Sequence, residues 1–432
     1  MKKIVWCLVG GFFSFYGYAQ TDVEAGNPAL QKANAEKAKI EKVEQRKKTT
    51  ESFVDVKIVP ATDIKNQGIT GTCWCFSGTS LVESQCVKNN LGTFDLSEMY
   101  SVRNTYLDKA KNYILRQGRT QFSEGGLGHD LINAIVKYGA IPEAIYSGAK
   151  PATSNIPSKF ASKVTTEKKP IAEVKSSDAP TIIAEHNHVK LITSLKGYLD
   201  SIIGLKIIPE NWDTGFERIL DTELGVAPSK FIYDGKEYTP KTFASNILKF
   251  NADDYVNITS FTDHPYYKPF ILQVPDNFSN GAYYNLPLDE MMQLTKDALN
   301  KGYSVLWDAD VSNDGFMQKI GVAINMNKMD MGNLKKAQFV TGNATEGKWD
   351  AEERQRLFEN LTTQDDHLMH IIGMGKNKEG KSFFNVKNSW GDIGPNHGFI
   401  NVSEGYFAIN TISLIVPKAA LSKAVLEKLK MK

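Results

Sequence analysis

A cysteine at the first position of a helix is suited to nucleophilic work. Unpaired N–H groups and the helix dipole favour its thiolate, and the thiolate is the form that attacks a carbonyl. Such a site also needs an imidazole to take and return the proton, a third group to orient that imidazole, and a donor aimed at the oxyanion. The chain offers one residue for each role. Cys73 lies in Gly71-Thr72-Cys73-Trp74-Cys75-Phe76-Ser77, six residues after Gln67 and across a glycine-containing turn. Far downstream stand Asp366-His367-Leu368-Met369-His370 and Lys387-Asn388-Ser389-Trp390-Gly391.

These residues need elements to hold them. Val54, Val56 and Ile58 alternate as in a strand. From Cys73 the pattern is helical, with Trp74, Leu81, Val82 and Gln85 on one face, and Asn89-Asn90-Leu91-Gly92 ends it. Ser77 and Gly78 are small enough to let another element pack closely. A second helix is expected near 127–138, stopping at Gly139. Leu191, Ile192, Leu195, Leu199, Ile202 and Ile203 mark an amphipathic helix, and Thr239-Pro240 opens another. A helix from Leu286 to Gly302 precedes a buried strand at 303–307. Further strands are expected at 368–375, 382–388, 397–403 and 407–416, then a short basic helix over 418–432.

The four motifs, in this order, resemble the papain-like cysteine peptidases: Gln, a glycine-rich turn, Cys-Trp, a His opening a strand, then Asn-Ser-Trp-Gly. The resemblance implies Cys73 as nucleophile, His367 as general base and acid, Asn388 as the residue orienting it, and Gln67 as an oxyanion donor. Trp390 would shield the His367–Asn388 bond, and Gly125-Gly126 would meet an extended substrate through their backbone. The family carries a disulfide cysteine three residues before the nucleophile; this chain has Thr70 there.

The spacing narrows the branch. Papain-like enzymes place the histidine about 130–150 residues after the cysteine, whereas here the interval from 73 to 367 is 294 residues. The extra length resembles the bleomycin hydrolase and aminopeptidase C branch, as do Lys137-Tyr138-Gly139 with Pro142. That branch implies aminopeptidase action on peptides and, by resemblance only, a hexameric homo-oligomer. Its C-terminal arm holds the substrate's amino end, and nothing here corresponds to that arm after the 418–432 helix. Endopeptidase cleavage is therefore the alternative reading, and an inactive papain-like peptide-binding scaffold is another.

The expected organisation is an α+β papain-like fold with a helical half, a β-barrel-like half and a large helical insertion. Residues 1–19 read as a signal peptide: Lys2 and Lys3, an apolar stretch from Ile4 to Phe15, and small residues at Gly17 and Ala19 before the cut. The product would be exported, periplasmic or secreted, with no membrane association after cleavage. Residues 20–52 form a polar leader, helical or disordered. Residues 53–150 form the helical half with Cys73, 151–285 the helical insertion, 286–418 the β-rich half with His367 and Asn388, and 419–432 the C-terminal helix.

The composition is globular, not disordered, collagen-like or fibrous. Of the 432 residues 41% are hydrophobic and 23% charged, and four cysteines are too few for a disulfide scaffold. The net charge is +2, and zero once residues 1–20 are removed, so a broad grip on nucleic acid is not indicated. Neither a metal nor an organic cofactor is expected: His186-x-His188 has no third ligand in view. Cys75 and Cys86 read as packing residues. His370 should face away from His367 on its strand, and His129, His264 and His397 read as surface residues.

Overall fold

The computed structural model describes residues 52–148, 173–174, 188–326 and 341–431. The expected signal peptide and the leader up to residue 51 lie outside these, as does most of 149–187.

The cysteine-bearing part is built on α1 (Cys73–Lys88). Its expected single apolar face is not what is found: thirteen of its sixteen residues are buried, so it is a central helix. Its small residues explain how. A Cβ added to Gly78 would stand 2.5 Å from Leu131 Cδ2, so Leu131 of α3 (Gly128–Tyr138) sits in the notch that Gly78 leaves. Between them runs α2 (Glu98–Leu115), which the sequence reading did not anticipate; Ser97 caps it by accepting the Tyr100 N–H. α3 ends at Gly139, whose φ of 87° suits glycine.

The long interval between the motifs is not a separate helical insertion. Helices α4 (Val189–Ile203), α5 (Trp212–Leu224) and α6 (Pro240–Asn246) do form there. They share one hydrophobic core with α1–α3, through Leu195, Leu199, Phe216, Leu220 and Phe243. Among the described residues the interval also holds short strands. With β1 (Phe53–Ile58) counted first, β2 (Glu173–Val174), β3 (Phe231–Tyr233) and β4 (Lys236–Tyr238) make a small sheet. β5 (Tyr255–Thr259), β6 (Pro269–Ile271) and β7 (Ala282–Asn285) join the main sheet instead. Short strands with alternating burial, as at Val256 and Ile258, carry too little period-2 signal to be separated from loop by sequence alone.

Helix α7 (Leu288–Asn300) leads into β8 (Val305–Ala309). After β9 (Phe316–Met317), β10 (Val322–Ala323) and α8 (Ala351–Glu359) come β11 (His367–Asn377), β12 (Ser382–Lys387) and β13 (Phe399–Ser403). Residues 407–410, expected as strand, are helical: Ser403 Oγ accepts the Tyr406 N–H and starts α9 (Glu404–Asn410), and β14 (Thr411–Pro417) begins after it. The C-terminal helix is shorter than expected, α10 (Lys423–Leu429), capped by Ser422.

The main sheet runs β6-β7-β5-β14-β8-β11-β12-β13-β10-β9, with β1 added to β11. β11 is long enough to serve two neighbours on one edge. Residues 367–371 pair with β8, and 373–377 pair with β1. The two faces of the sheet feed two cores. Leu306, Leu368 and Ile415 pack toward the helices, while Val305, Trp307, Met369 and Ile371 pack with Met291 and Leu299 of α7 and Phe407 of α9. The alternating Val54, Val56 and Ile58 of β1 point outward instead of into a core, at 65%, 58% and 43% exposure. Among the described residues no helix is long and apolar enough to cross a membrane.

Candidate active site

Each expected residue is positioned by a different element. Cys73 opens α1 and is 7% exposed. His367 opens β11, Asn388 follows β12, and Gln67 lies in the loop before α1. Asn66 bridges to Trp390, the Gln67 N–H donates to Ser389 O at 2.8 Å, and the Gly391 N–H donates to Lys65 O at 3.1 Å. The Cys-bearing loop is thus sewn to the Asn-bearing loop by backbone bonds.

His367 is oriented as the chemistry requires. Its Nε2 lies 2.7 Å from Asn388 Oδ1. An amide oxygen only accepts, so Nε2 carries the hydrogen and Nδ1 is the basic nitrogen. The Trp390 ring stacks on the imidazole with centroids 4.6 Å apart and planes 30° apart, covering that bond. The backbone of Leu368, the residue after His367, favours the charged form of the Cys73 thiol.

Two positioning residues escaped the sequence reading. Asn388 Nδ2 donates to Gln318 Oε1 at 3.0 Å, and Ser389 Oγ donates to Gln67 Oε1 at 2.6 Å. Gln67 Nε2 in turn donates to Thr70 O at 2.6 Å, leaving its second hydrogen for another acceptor. Ser389 was in view as part of a motif; Gln318 carries no local signal.

The electrostatics differ from what a helix-start cysteine suggests. Burial raises the Cys73 thiol to about 12, and Asp365, Asp276 and Asp308 push the same way. Burial lowers His367 to about 4, against the Asn388 hydrogen bond. A helix dipole contributes about 0.3–1 kcal/mol at such a site, too little to offset this desolvation. Burial therefore acts against the charged form of both Cys73 and His367.

The paired glycines lie in the same region. A Cβ on Gly126 would stand 3.2 Å from the Trp74 ring, and one on Gly125 would collide with the Asp276 carboxylate. Cys75 is buried, its thiol 3.2 Å from Glu98 O, and Cys86 is buried beside Leu248 O. His370 faces α1, with Nδ1 2.9 Å from Ser80 Oγ. His129 is not a surface residue: it is 5% exposed, with Nδ1 2.8 Å from Tyr283 OH and Nε2 2.7 Å from Ser279 Oγ. The β6–β7 loop covers it. His188 is buried against Tyr106 OH at 3.1 Å, and His186 lies outside the described residues. Among the described residues no cluster of three His, Cys, Asp or Glu could hold a metal ion.

Comparison with known proteins fits this picture. The model of the Peptidase C1-like family matches residues 114–432, a range that contains Gly125, Gly126, His367, Asn388 and Trp390 and begins after Cys73. Aminopeptidase G of Lactobacillus delbrueckii subsp. lactis is 24% identical, over 84% of this chain and 83% of its own. Aminopeptidase C of Streptococcus thermophilus is 22% identical, over 94% and 92%. The mitochondrial cysteine proteinase 1 of Saccharomyces cerevisiae is 25% identical, over 92% and 83%. In fold, the crystal structure of PepW from Lactobacillus rhamnosis superposes with a TM-score of 0.62 at 18% identity, covering 94% of this chain and 92% of that one.

Proposed function

The chain belongs to the Peptidase C1-like family, in its papain-like aminopeptidase C branch, and on that premise we propose that it is an exported aminopeptidase working through Cys73, His367 and Asn388. It is a cysteine-type peptidase with an α+β papain-like fold. The observation that carries the catalytic reading is the 2.7 Å bond from His367 Nε2 to Asn388 Oδ1 beneath Trp390, which leaves Nδ1 as the base.

The steps follow from the groups present. The Cys73 proton passes to His367 Nδ1, and the sulfur attacks the scissile carbonyl carbon. The oxyanion is met by the Cys73 backbone N–H and the second Nε2 hydrogen of Gln67. As the tetrahedral intermediate collapses, the C–N bond breaks and His367 returns the proton to the leaving amine. Water, deprotonated by the now neutral His367, then attacks the thioester; the acid departs and the thiol is restored. Gly125 and Gly126 offer backbone to the substrate, and Trp390 keeps water from the His367–Asn388 bond. Peptides are the substrates.

Export rests on the composition of residues 1–19, with cleavage after Ala19. N-terminal sequencing of protein recovered outside the cytoplasm tests it; an intact Met1 would refute it. The activity is tested with two fluorogenic substrates, one residue with a free α-amine and one N-blocked peptide, with Cys73→Ala as control. Faster cleavage of the free-amine substrate, lost in Cys73→Ala, is expected. Cleavage of the blocked peptide alone would refute the aminopeptidase reading, and activity surviving in Cys73→Ala would refute the catalytic one.

A further inference from the structure

The loop between β6 and β7, residues 272–281, carries a carboxylate into the cleft. The loop is tied to itself by Asn277, whose Nδ2 donates to Leu272 O at 2.7 Å and Gly281 O at 2.9 Å. It is tied to the start of α3 by Ser279 Oγ, which donates to Asp130 Oδ1 at 2.6 Å and lies 2.7 Å from His129 Nε2. These bonds hold Asp276 over Gly125, so close that a Cβ on that glycine could not be accommodated. Gln121 Nε2 steadies Asp276 Oδ1 at 3.3 Å. Asp276 lies close enough to Asp365, two residues before His367, to act on it: its charge raises that carboxyl and its backbone favours the charged form.

Three carboxylates gather here. Asp365, Asp276 and Asp308 all act on Cys73. Asp308 is 1% exposed; its Oδ2 takes a bond from Ser413 at 3.0 Å, but its Oδ1 has no donor among the described residues. Two cations face the group. Lys109 acts on Asp276, but its Nζ donates to Ser123 O and Gly125 O. Arg354 acts on Asp308, with Nε bonded to Ser260 O and Nη1 to Ala408 O. Asp365 is raised to about 7 and Asp308 well above its usual value, chiefly by burial, so the pair retains a proton that a cation brought beside it would release, and this set stands beside Cys73.

We propose that Asp276, with Asp365 behind it, binds the free α-ammonium of the substrate and so fixes how far the peptide extends past Cys73. The inference rests on the aminopeptidase reading and names the residue that enforces it. Position favours an α-ammonium over a side-chain cation. An extended chain pairing with Gly125 would run into the Asp276 carboxylate, so the same group that attracts an amino terminus stops a chain that continues.

The test uses the full-length protein and three matched fluorogenic amides: one with a free α-amine, one with that amine replaced by hydrogen, and one N-acetylated. Wild type should prefer the amine over its des-amino partner. In Asp276→Asn that kcat/KM ratio should fall by about 30-fold, through KM, as for loss of a charged hydrogen bond. Asp276→Glu should keep most of the preference, and Asp365→Asn should shift it in the same direction as Asp276→Asn. An unchanged ratio in Asp276→Asn, with the wild-type preference intact, overturns this inference and leaves the aminopeptidase reading standing. No amine preference in wild type overturns the aminopeptidase reading itself. A preference, lost in Asp276→Asn, for lysine at the second residue of blocked peptides would show that the carboxylates read a side chain, and would also overturn the inference.

Discussion

Gln318 holds Asn388 across seventy residues of chain: Asn388 Nδ2 donates to Gln318 Oε1 at 3.0 Å, and both side chains are buried. That bond decides which end of the amide faces the imidazole. With Nδ2 engaged, Oδ1 turns to the His367 Nε2–H and to the Ser389 N–H, each at 2.7 Å. Were the amide reversed, Nδ2 would face Nε2, the hydrogen would move to Nδ1, and the base would be lost.

Gln318→Leu therefore removes an acceptor from a buried donor and frees the amide to reverse. Kcat should fall by about tenfold or more, consistent with about 1–3 kcal/mol for an unsatisfied buried group, while KM changes little. Gln318→Glu keeps an acceptor for Nδ2 and should retain most activity. Steady-state kinetics of the two variants check this; equal losses would mean Gln318 acts through packing alone.

Ser389 does for Gln67 what Gln318 does for Asn388. Its hydroxyl donates to Gln67 Oε1 at 2.6 Å, which turns Nε2 toward Thr70 O and the cleft. Ser389→Ala should lower kcat by about 3- to 10-fold, less than the 100-fold or greater loss typical when an oxyanion donor itself is deleted. Adding Ser389→Ala to Gln67→Ala should then cost little more, since the two act as one unit. A kcat series over the four proteins tests this, and full additivity would separate the two residues.

What the sequence made legible was contiguous. Cys73-Trp74, the His at a strand start and Asn388-Ser389-Trp390 are short runs whose chemistry is set by neighbours in the chain. Gln318, Asp276 and the burial of His129 depend on residues brought from about 70 to 200 positions away by strand pairing. Gln318, in Phe316-Met317-Gln318-Lys319-Ile320, has no period or spacing to mark it. α2 was missed for a related reason: its polar residues Arg103, Asn104 and Lys109 are buried, so the expected apolar stripe is broken. The residues 407–410 read as strand because Phe407, Ala408 and Ile409 make an apolar run that continues after Asn410, which a short buried helix also allows.

Acid should weaken the fold through the same imidazole. His367 is lowered by burial to about 4, while an unfolded histidine titrates near 6.5. Between those values the unfolded chain binds a proton that the folded chain does not, so stability is lost as pH falls from about 6.5 to 4 and levels off below. The loss from His367 alone is about 3 kcal/mol over that window. His370, lowered well below its usual value by burial and then by Lys387, acts in the same direction. Buried carboxylates such as Asp365, raised to about 7 mainly by burial, act oppositely, so the informative quantity is a difference. Urea unfolding at pH 7 and pH 4.5 should show a smaller acid loss in His367→Gln than in wild type, and equal losses would contradict the buried neutral imidazole.

The notch at Gly78 is the joint on which the cysteine's placement depends. α1 is buried almost all round, and it reaches α3 only because Gly78 has no side chain where Leu131 Cδ2 enters, 2.5 Å from the position a Cβ would take. Gly78→Ala has opposing consequences: alanine favours the helix by about 0.8–1.0 kcal/mol over glycine, but overpacking a well-filled core costs about 1–3 kcal/mol. The second effect should win, because Leu131 is fully buried and its Cβ and Cγ also lie within 3.4 Å of the added carbon. Urea midpoints should therefore fall in Gly78→Ala and recover in Gly78→Ala/Leu131→Val relative to the sum of the two single changes. Because α1 would shift against α3, the labelling rate of Cys73 by a thiol-directed electrophile should change in the single variant and return toward wild type in the double. Midpoints that rise in Gly78→Ala would mean that the helix preference outweighs the contact and that the notch does not set the position of Cys73.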